Sequence, residues 1–219
     1  MSYYVGVLIV KGNNISEVDR QEFLSLAEGY EHVVLDLGTG DGRFVYENAL
    51  RNSKSFYIGV DPSQKQLEIY SRKAVRKKLK NILYVIGSLE VFPEELIGTI
   101  DRLYIIFPWG SLLQSVVKPN SAAEIFKRIL KPDGVLEVIF GYSHESEPSE
   151  SARLDLPKVT EYLLMGSIVP KYEQKGFEIK LLTKYKDSQI EKIESSWGKR
   201  LSFAKRKNRP IFRIVLKAI

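Results

Sequence analysis

An apolar run, Val33-Val34-Leu35-Asp36-Leu37, ends in Gly38-Thr39-Gly40-Asp41-Gly42, and an amphipathic stretch beginning at Arg43 follows at once. Such a strand, glycine turn and helix in immediate succession belongs to α/β proteins with a parallel sheet, where the turn lies at the carboxyl end of a strand and its bare backbone admits a ligand. A second run, Tyr57-Ile58-Gly59-Val60-Asp61, closes on a carboxylate about 20 residues further on, where an acid accepts from the hydroxyls of a ribose. The two features together predict an adenosine-containing cofactor.

The form of the turn selects among such cofactors. Arg43 occupies the place of the third glycine of a dinucleotide fingerprint, and Asp36 stands two residues before the first glycine. A pyrophosphate would meet an extra carboxylate there, whereas the amino group and sulfonium of S-adenosylmethionine favour nearby acids. Asp36, Gly38, Gly40 and Asp61 are the primary cofactor candidates. Glu90, just past the third strand of the repeat, is placed at the adenine ring, with Leu89 and Ile106 in the same pocket. Ser111 either contacts the cofactor or caps the helix after the fourth strand. An NAD-linked oxidoreductase is disfavoured by Arg43 and by the lack of a His or Tyr acid at the site.

Around this turn, apolar runs alternate with amphipathic stretches in a β/α rhythm. Strands are predicted at Tyr4–Val10, Val33–Leu37, Ser55–Val60, Ile82–Gly87, Leu103–Phe107, Gly134–Phe140, Glu178–Thr183 and Ile211–Leu216. Helices are expected between them, including Ser16–Glu28, Ser63–Leu79, Lys158–Met165, Ile168–Lys175 and a polar helix Ser188–Lys205. The whole implies a class I, Rossmann-like domain over residues 1–219, with a seven-stranded, mostly parallel sheet. Residues 1–17 are expected to form a short N-terminal β extension, and 143–166 and 184–209 to be two functional insertions.

The carboxyl end of the fourth strand reads Phe107-Pro108-Trp109-Gly110. Methyltransferases acting on exocyclic amines carry an acid or amide at the first position of a similar tetrapeptide, and Phe107 cannot accept a proton. A ring nitrogen with a free lone pair, such as adenine N1, needs no such acceptor. Trp109 and Trp197 are the only tryptophans, and two of them can hold a flipped base between their faces.

Charge points to the partner. The chain carries 33 Lys and Arg against 27 Asp and Glu, and the surplus is concentrated. One cluster holds Arg72, Lys73, Arg76 and Lys77, and another holds Lys199, Arg200, Lys205, Arg206 and Lys207. Two such patches favour a polyanion. With no cysteine and only His32 and His144 as imidazoles, no metal site is expected. The run Tyr3–Val10 is too short to span a bilayer, so a cytoplasmic location is expected; the protein is also expected to be a monomer.

Taken together, the glycine turn, Tyr57-Ile58-Gly59-Val60-Asp61-Pro62, Phe107-Pro108-Trp109-Gly110, Lys11-Gly12, Lys118-Pro119-Asn120 and Ser195–Phe203 make the chain similar to a known family. It resembles the 16S ribosomal RNA adenine-N1 methyltransferases of the aminoglycoside-resistance type, the Kam/Npm group. The resemblance implies methylation of N1 of adenine 1408 on the assembled 30S subunit, and drug resistance as the result. It implies that Trp109 and Trp197 stack on the base, with Phe107 and Pro108 as a wall beside them and Ser195 near the cofactor. It assigns Arg72, Lys73, Arg76, Lys77 and the cluster from Lys199 to RNA contact, and places Arg153 at an arginine that anchors a phosphate. A class I methyltransferase acting on another RNA site or on a small molecule stays open as the alternative.

Overall fold

The computed structural model describes residues 6–145, 147–185 and 210–219. Nine strands run as β1 Val7–Lys11, β2 Asn14–Val18, β3 His32–Leu37, β4 Ser55–Asp61, β5 Ile82–Ile86, β6 Ile100–Ile106, β7 Leu130–Phe140, β8 Phe177–Lys184 and β9 Phe212–Ala218. They form one sheet in the order β2-β1-β5-β4-β3-β6-β7-β9-β8. The five strands from β5 to β7 in that order pair in parallel. β9 is antiparallel to both β7 and β8, and the β1–β2 hairpin adds to the free edge of β5. The seven strands after the hairpin are the class I methyltransferase arrangement expected from the sequence.

Alternation along each strand divides the apolar residues between the two faces of the sheet. Leu35, Ile58, Val60 and Leu103, all fully buried, face a core shared with α4 Gly110–Val117 and α5 Ala122–Ile129. Val34 and Tyr57 face the other way, against α2 Arg43–Arg51 and α3 Gln64–Arg76. Each such aliphatic side chain contributes about 1.5–3 kcal/mol on burial. The strands around the glycine turn are therefore held from both sides.

Four local departures from the expected pattern have physical reasons. Asn14–Val18, read as the start of a helix from Ser16, is strand β2, because Gly12 at φ +69° turns the chain back on β1. The helix α1 Arg20–Ala27 starts only after Asp19, whose carboxylate caps it by accepting from the Glu22 N–H at 2.8 Å. Pro132-Asp133-Gly134 does not precede β7 but lies within it as a bulge, with Asp133 at φ +65° and the register against β6 shifted. The polar stretch after Phe140 holds a short helix, α6 Pro148–Arg153. Beyond it, α7 Glu161–Leu163 and α8 Val169–Glu173 are joined by a wide turn over Leu164–Ile168. Pro170 has no N–H to continue an α pattern there. The helix expected at Ser188–Lys205 lies outside the described residues.

Candidate active site

The carboxyl ends of β3, β4, β5 and β6 open on one cleft of about 480 Å³. Asp36, Gly38, Gly40, Asp61, Leu89, Glu90, Ile106, Phe107, Pro108, Trp109 and Ser111, all singled out in the sequence, line it together.

Its floor is built by the glycine turn. Gly38, Gly40 and Gly42 all have positive φ, a conformation that other residues adopt at a cost. The turn folds over β4 because the Gly38 and Thr39 N–H groups donate to the Val60 carbonyl at 2.8 and 3.0 Å. Gly59 makes room for it, since a Cβ there would lie 2.9 Å from Thr39 Cγ2. Asp61 ties the second strand end to the turn by accepting from the Gly40 N–H and the Ser63 N–H, each at 2.9 Å. Ser63 begins α3 but gives no side-chain cap.

The two acids differ in kind. Burial raises the Asp61 carboxyl above its usual range, while the hydrogen bonds from Ser63 and Gly40 hold it back. Asp36 is 2% exposed. Burial pushes its carboxyl up to about 7, the Thr39 hydroxyl at 2.7 Å opposes this, and the charges of Asp61 and Asp41 add to it. Its other oxygen, Oδ1, is buried without a hydrogen-bond partner. A cleft that holds a buried, unpartnered carboxylate oxygen is short of one positively charged donor.

On the opposite wall the Ser111 hydroxyl bonds the Glu90 carboxylate and, with Ser88, holds it below its usual range. Ser111 is therefore not a helix cap; the N-cap position of α4 belongs to Trp109. The acceptor tetrapeptide forms the rim. Phe107 has φ +50°, a left-handed conformation that costs a non-glycine residue on the order of 1–3 kcal/mol. It is kept there by its N–H bond to the Ile139 carbonyl at 2.7 Å and by packing with Ile106, Ile139 and Ile211. Trp109, next to the rigid Pro108, is 49% exposed at the mouth.

Arg153 is brought to this rim indirectly. Its guanidinium holds Glu150 through two bonds, at 2.7 and 2.9 Å, and Glu150 also accepts from the Gly110 N–H at the start of α4. Gln114 Nε2 donates to the Leu154 carbonyl at 2.8 Å, and Lys118 pairs with Asp155 at 2.6 Å. Thus α6 is fastened along α4. Thr39, Gln66, Ser88 and Glu150 were not singled out in the sequence; only Thr39, a hydroxyl three residues after an acid in a glycine turn, carried a readable signal. Ser195, Trp197, Lys199, Arg200, Lys205, Arg206 and Lys207 lie outside the described residues.

The described cations differ in their partners: several are paired with carboxylates, while the α3 cluster and some others, such as Lys127 and Lys171, form no ion pair among the described residues. Lys54, Lys118, Arg128, Lys131, Arg153, Lys175, Arg213 and Lys217 each face a carboxylate. In the α3 cluster, Arg72 bonds a neutral side chain, Asn13, and no acidic one among the described residues, and Lys73 lies over the Tyr70 ring at 3.7 Å. Arg76 and Lys77 are exposed with no acidic partner among the described residues.

The sequence pattern of the NpmA family, described as 16S rRNA (adenine(1408)-N(1))-methyltransferase, matches residues 8–215. The chain belongs to that family. An Escherichia coli 16S rRNA (adenine(1408)-N(1))-methyltransferase is 32% identical to it over 216 residues, 95% of this chain and 97% of the relative. The crystal structure of a 30S ribosomal A1408 methyltransferase from an uncultured bacterium has a TM-score of 0.77 and 41% identity, covering 97% of this chain and 100% of that one. That of the aminoglycoside resistance methyltransferase NpmB1 has a TM-score of 0.83 and 34% identity, with coverage of 97% and 100%. The activity of that family is methylation of N1 of adenine 1408 in 16S rRNA, and the cofactor expected from the sequence is S-adenosylmethionine. The cleft suits that cofactor: the unpartnered Asp36 Oδ1 matches an ammonium, and the pair of Asp61 oxygens matches ribose hydroxyls.

Proposed function

We propose that the cleft holds S-adenosylmethionine with its amino group at Asp36, its ribose at Asp61 and its adenine beside Leu89 and Glu90. When bound, the cofactor supplies a methyl group activated by a sulfonium. Gly38 and Gly40 allow its backbone approach, and Ile106 and Ser111 complete the walls. The single observation that carries this reading is the buried, unpartnered Asp36 Oδ1 on the floor of a cleft whose rim is Phe107-Pro108-Trp109.

The target adenine leaves its stack and lies against Trp109, with Phe107 and Pro108 beside it. Trp197 is assigned the second stacking face, and Ser195 the cofactor's neighbourhood, on the sequence resemblance. Adenine N1 is unprotonated at neutral pH and offers its lone pair directly, so the rim needs no proton acceptor at Phe107. The chain's contribution to rate is placement and orientation of the ring nitrogen. The methylated ring is cationic and remains favourably placed on an indole face.

Arg72, Lys73, Arg76 and Lys77 dock the protein on phosphates of the 30S subunit, together with the cluster from Lys199. Arg153, in exchange for part of its pairing with Glu150, holds a phosphate near the flipped base. The protein acts as a cytoplasmic monomer, and 143–166 and 184–209 serve RNA recognition within a single domain. No helix among the described residues is long and apolar enough to cross a membrane. Methylation confers aminoglycoside resistance, as the name of the NpmB1 relative records for that enzyme. Primer extension on 16S rRNA, after 30S subunits are incubated with protein and S-adenosylmethionine, tests the whole reading: a new stop at adenine 1408 is expected. A stop at another position, or none with active cofactor-bound protein, rejects it.

A further inference from the structure

Lys11-Gly12 is conspicuous in the sequence, yet nothing in the cleft uses it. Lys11 ends β1 and Gly12 opens the turn to β2, where it touches Ser71, 59 residues on. The Gly12 N–H donates to Ser71 Oγ at 2.8 Å, and the Ser71 hydroxyl donates to the Val10 carbonyl at 2.8 Å. Ser71 is 2% exposed and lies on α3, next to Arg72. Arg72 in turn reaches across to Asn13 Oδ1 at 3.2 Å. One buried hydroxyl, satisfied at both ends, therefore clasps a hairpin turn to the helix that carries the unpaired cations.

The clasp has an electrostatic consequence. Gly12 at φ +69° lets the turn lie against Val75, where a Cβ would come 3.9 Å from Val75 Cγ2, and Lys11 and Asn13 are left exposed beside Arg72. Lys11 has no acidic partner among the described residues, and neither do Arg76 and Lys77. Lys11 is the last residue of β1, and because its neighbours Val10 and Gly12 are both bonded to Ser71 of α3, its backbone belongs to one rigid cationic surface with that helix.

We propose that the β1–β2 turn is part of the RNA-docking surface, that Lys11 meets a backbone phosphate of the ribosomal RNA, and that Ser71 is the positioning residue that holds it there. This rests on the reading of α3 as the docking helix. The turn lies on the side of β5 away from the glycine turn, so the cofactor cleft is unaffected.

The test measures binding of the full-length protein to purified 30S subunits as a function of salt, with S-adenosylmethionine affinity measured beside it. Lys11→Ala should weaken 30S binding and reduce the slope of log K against log salt by about 1. Ser71→Ala removes no charge, yet should reduce the slope by a similar amount, and the double variant should lose little beyond either single one. Cofactor affinity should be unchanged in all three. A Ser71→Ala protein that binds more weakly with its salt slope intact has lost only structure, and the positioning role is overturned. An unaltered Lys11→Ala protein overturns the turn as a contact. Arg76→Glu with Lys77→Glu separates the underlying reading: if that variant also binds 30S normally, α3 itself is not the docking helix, whereas its failure to bind beside a normal Lys11→Ala protein rejects the turn alone.

Discussion

Replacing Asp36 by Asn should stabilise the cofactor-free protein and weaken cofactor binding, two effects of opposite sign from one buried group. In the unfolded chain this carboxyl has its ordinary value of 3.8, while in the folded protein burial holds it at about 7. The folded state then binds the proton more tightly than the unfolded state, so stability is fully present below about pH 4, falls as pH rises between the two values, and is lowest above neutrality. The gap corresponds to on the order of 4 kcal/mol at pH 8. Asn keeps an oxygen for the Thr39 hydroxyl, now at 2.7 Å from Asp36 Oδ2, and carries no charge, though its amide must find an acceptor. A net gain of about 1–3 kcal/mol at pH 8 remains after that cost; the cost itself does not vary with pH, so near pH 4, where the wild-type carboxyl is protonated, the variant should be less stable than the wild type by about 1–3 kcal/mol. Urea unfolding at both pH values measures it. Calorimetry of S-adenosylmethionine on the same protein should show a loss of tenfold or more, because a fixed carboxylate no longer faces the ammonium. In the wild type, affinity should rise as pH increases toward 7 and then level off, since binding must release the Asp36 proton. An Asn variant less stable at pH 8 than the wild type by the same amount as at pH 5, or one that binds the cofactor normally, would refute the assignment.

Trp109→Ala should lose on the order of 1–3 kcal/mol of base stacking and with it most of the resistance of expressing cells to kanamycin and apramycin, while Trp109→Phe retains much of it; equal loss in both at matched protein level would rule out stacking. Gly42→Ala should destabilise the fold by several kcal/mol, because the residue is at φ +78° and its Cβ would lie 2.2 Å from Tyr84 Cε1. Thermal unfolding reads this, and combining it with Tyr84→Ala, itself destabilising because Tyr84 is buried, should cost less than the two changes separately. Glu150→Gln should halve the grip on Arg153 without disturbing cofactor affinity, and single-turnover methylation of 30S subunits should slow.

How much of this was legible in the sequence depends on whether the signal was local. The glycine turn was legible because Asp36, the glycines and the following helix are adjacent in the chain, and strand-to-helix geometry then fixes them at one sheet end. Asp61 followed from the length of one β/α unit. Phe107-Pro108-Trp109 was legible for the same reason, being the end of a strand. The link from Glu150 to Gly110 was not, because the two are 40 residues apart and their meeting depends on how α6 lies on α4. Nor was β2: Asn14–Val18 is largely exposed, so its apolar spacing was too sparse to tell strand from helix, and the deciding feature is the backbone of Gly12.

Charge counts alone do not distinguish Arg153 and Lys118 from Arg76 and Lys77, and pairing does. Arg153 and Lys118 are as basic as Arg76 and Lys77, but the first two are engaged by Glu150 and Asp155 within the fold. A cation already paired must exchange one carboxylate for a phosphate, which makes it a contact of geometry more than of affinity. A cation with no partner loses nothing except counterions when it meets RNA, and so carries the salt-dependent part of binding. On the proposed reading the distribution of partners divides the protein's work: α3 and its clasped turn would supply attraction over the surface, Arg153 would supply registration at the flipped nucleotide, and the cleft, whose own acids Asp36 and Asp61 repel phosphate, would admit the base and the cofactor but not the RNA backbone.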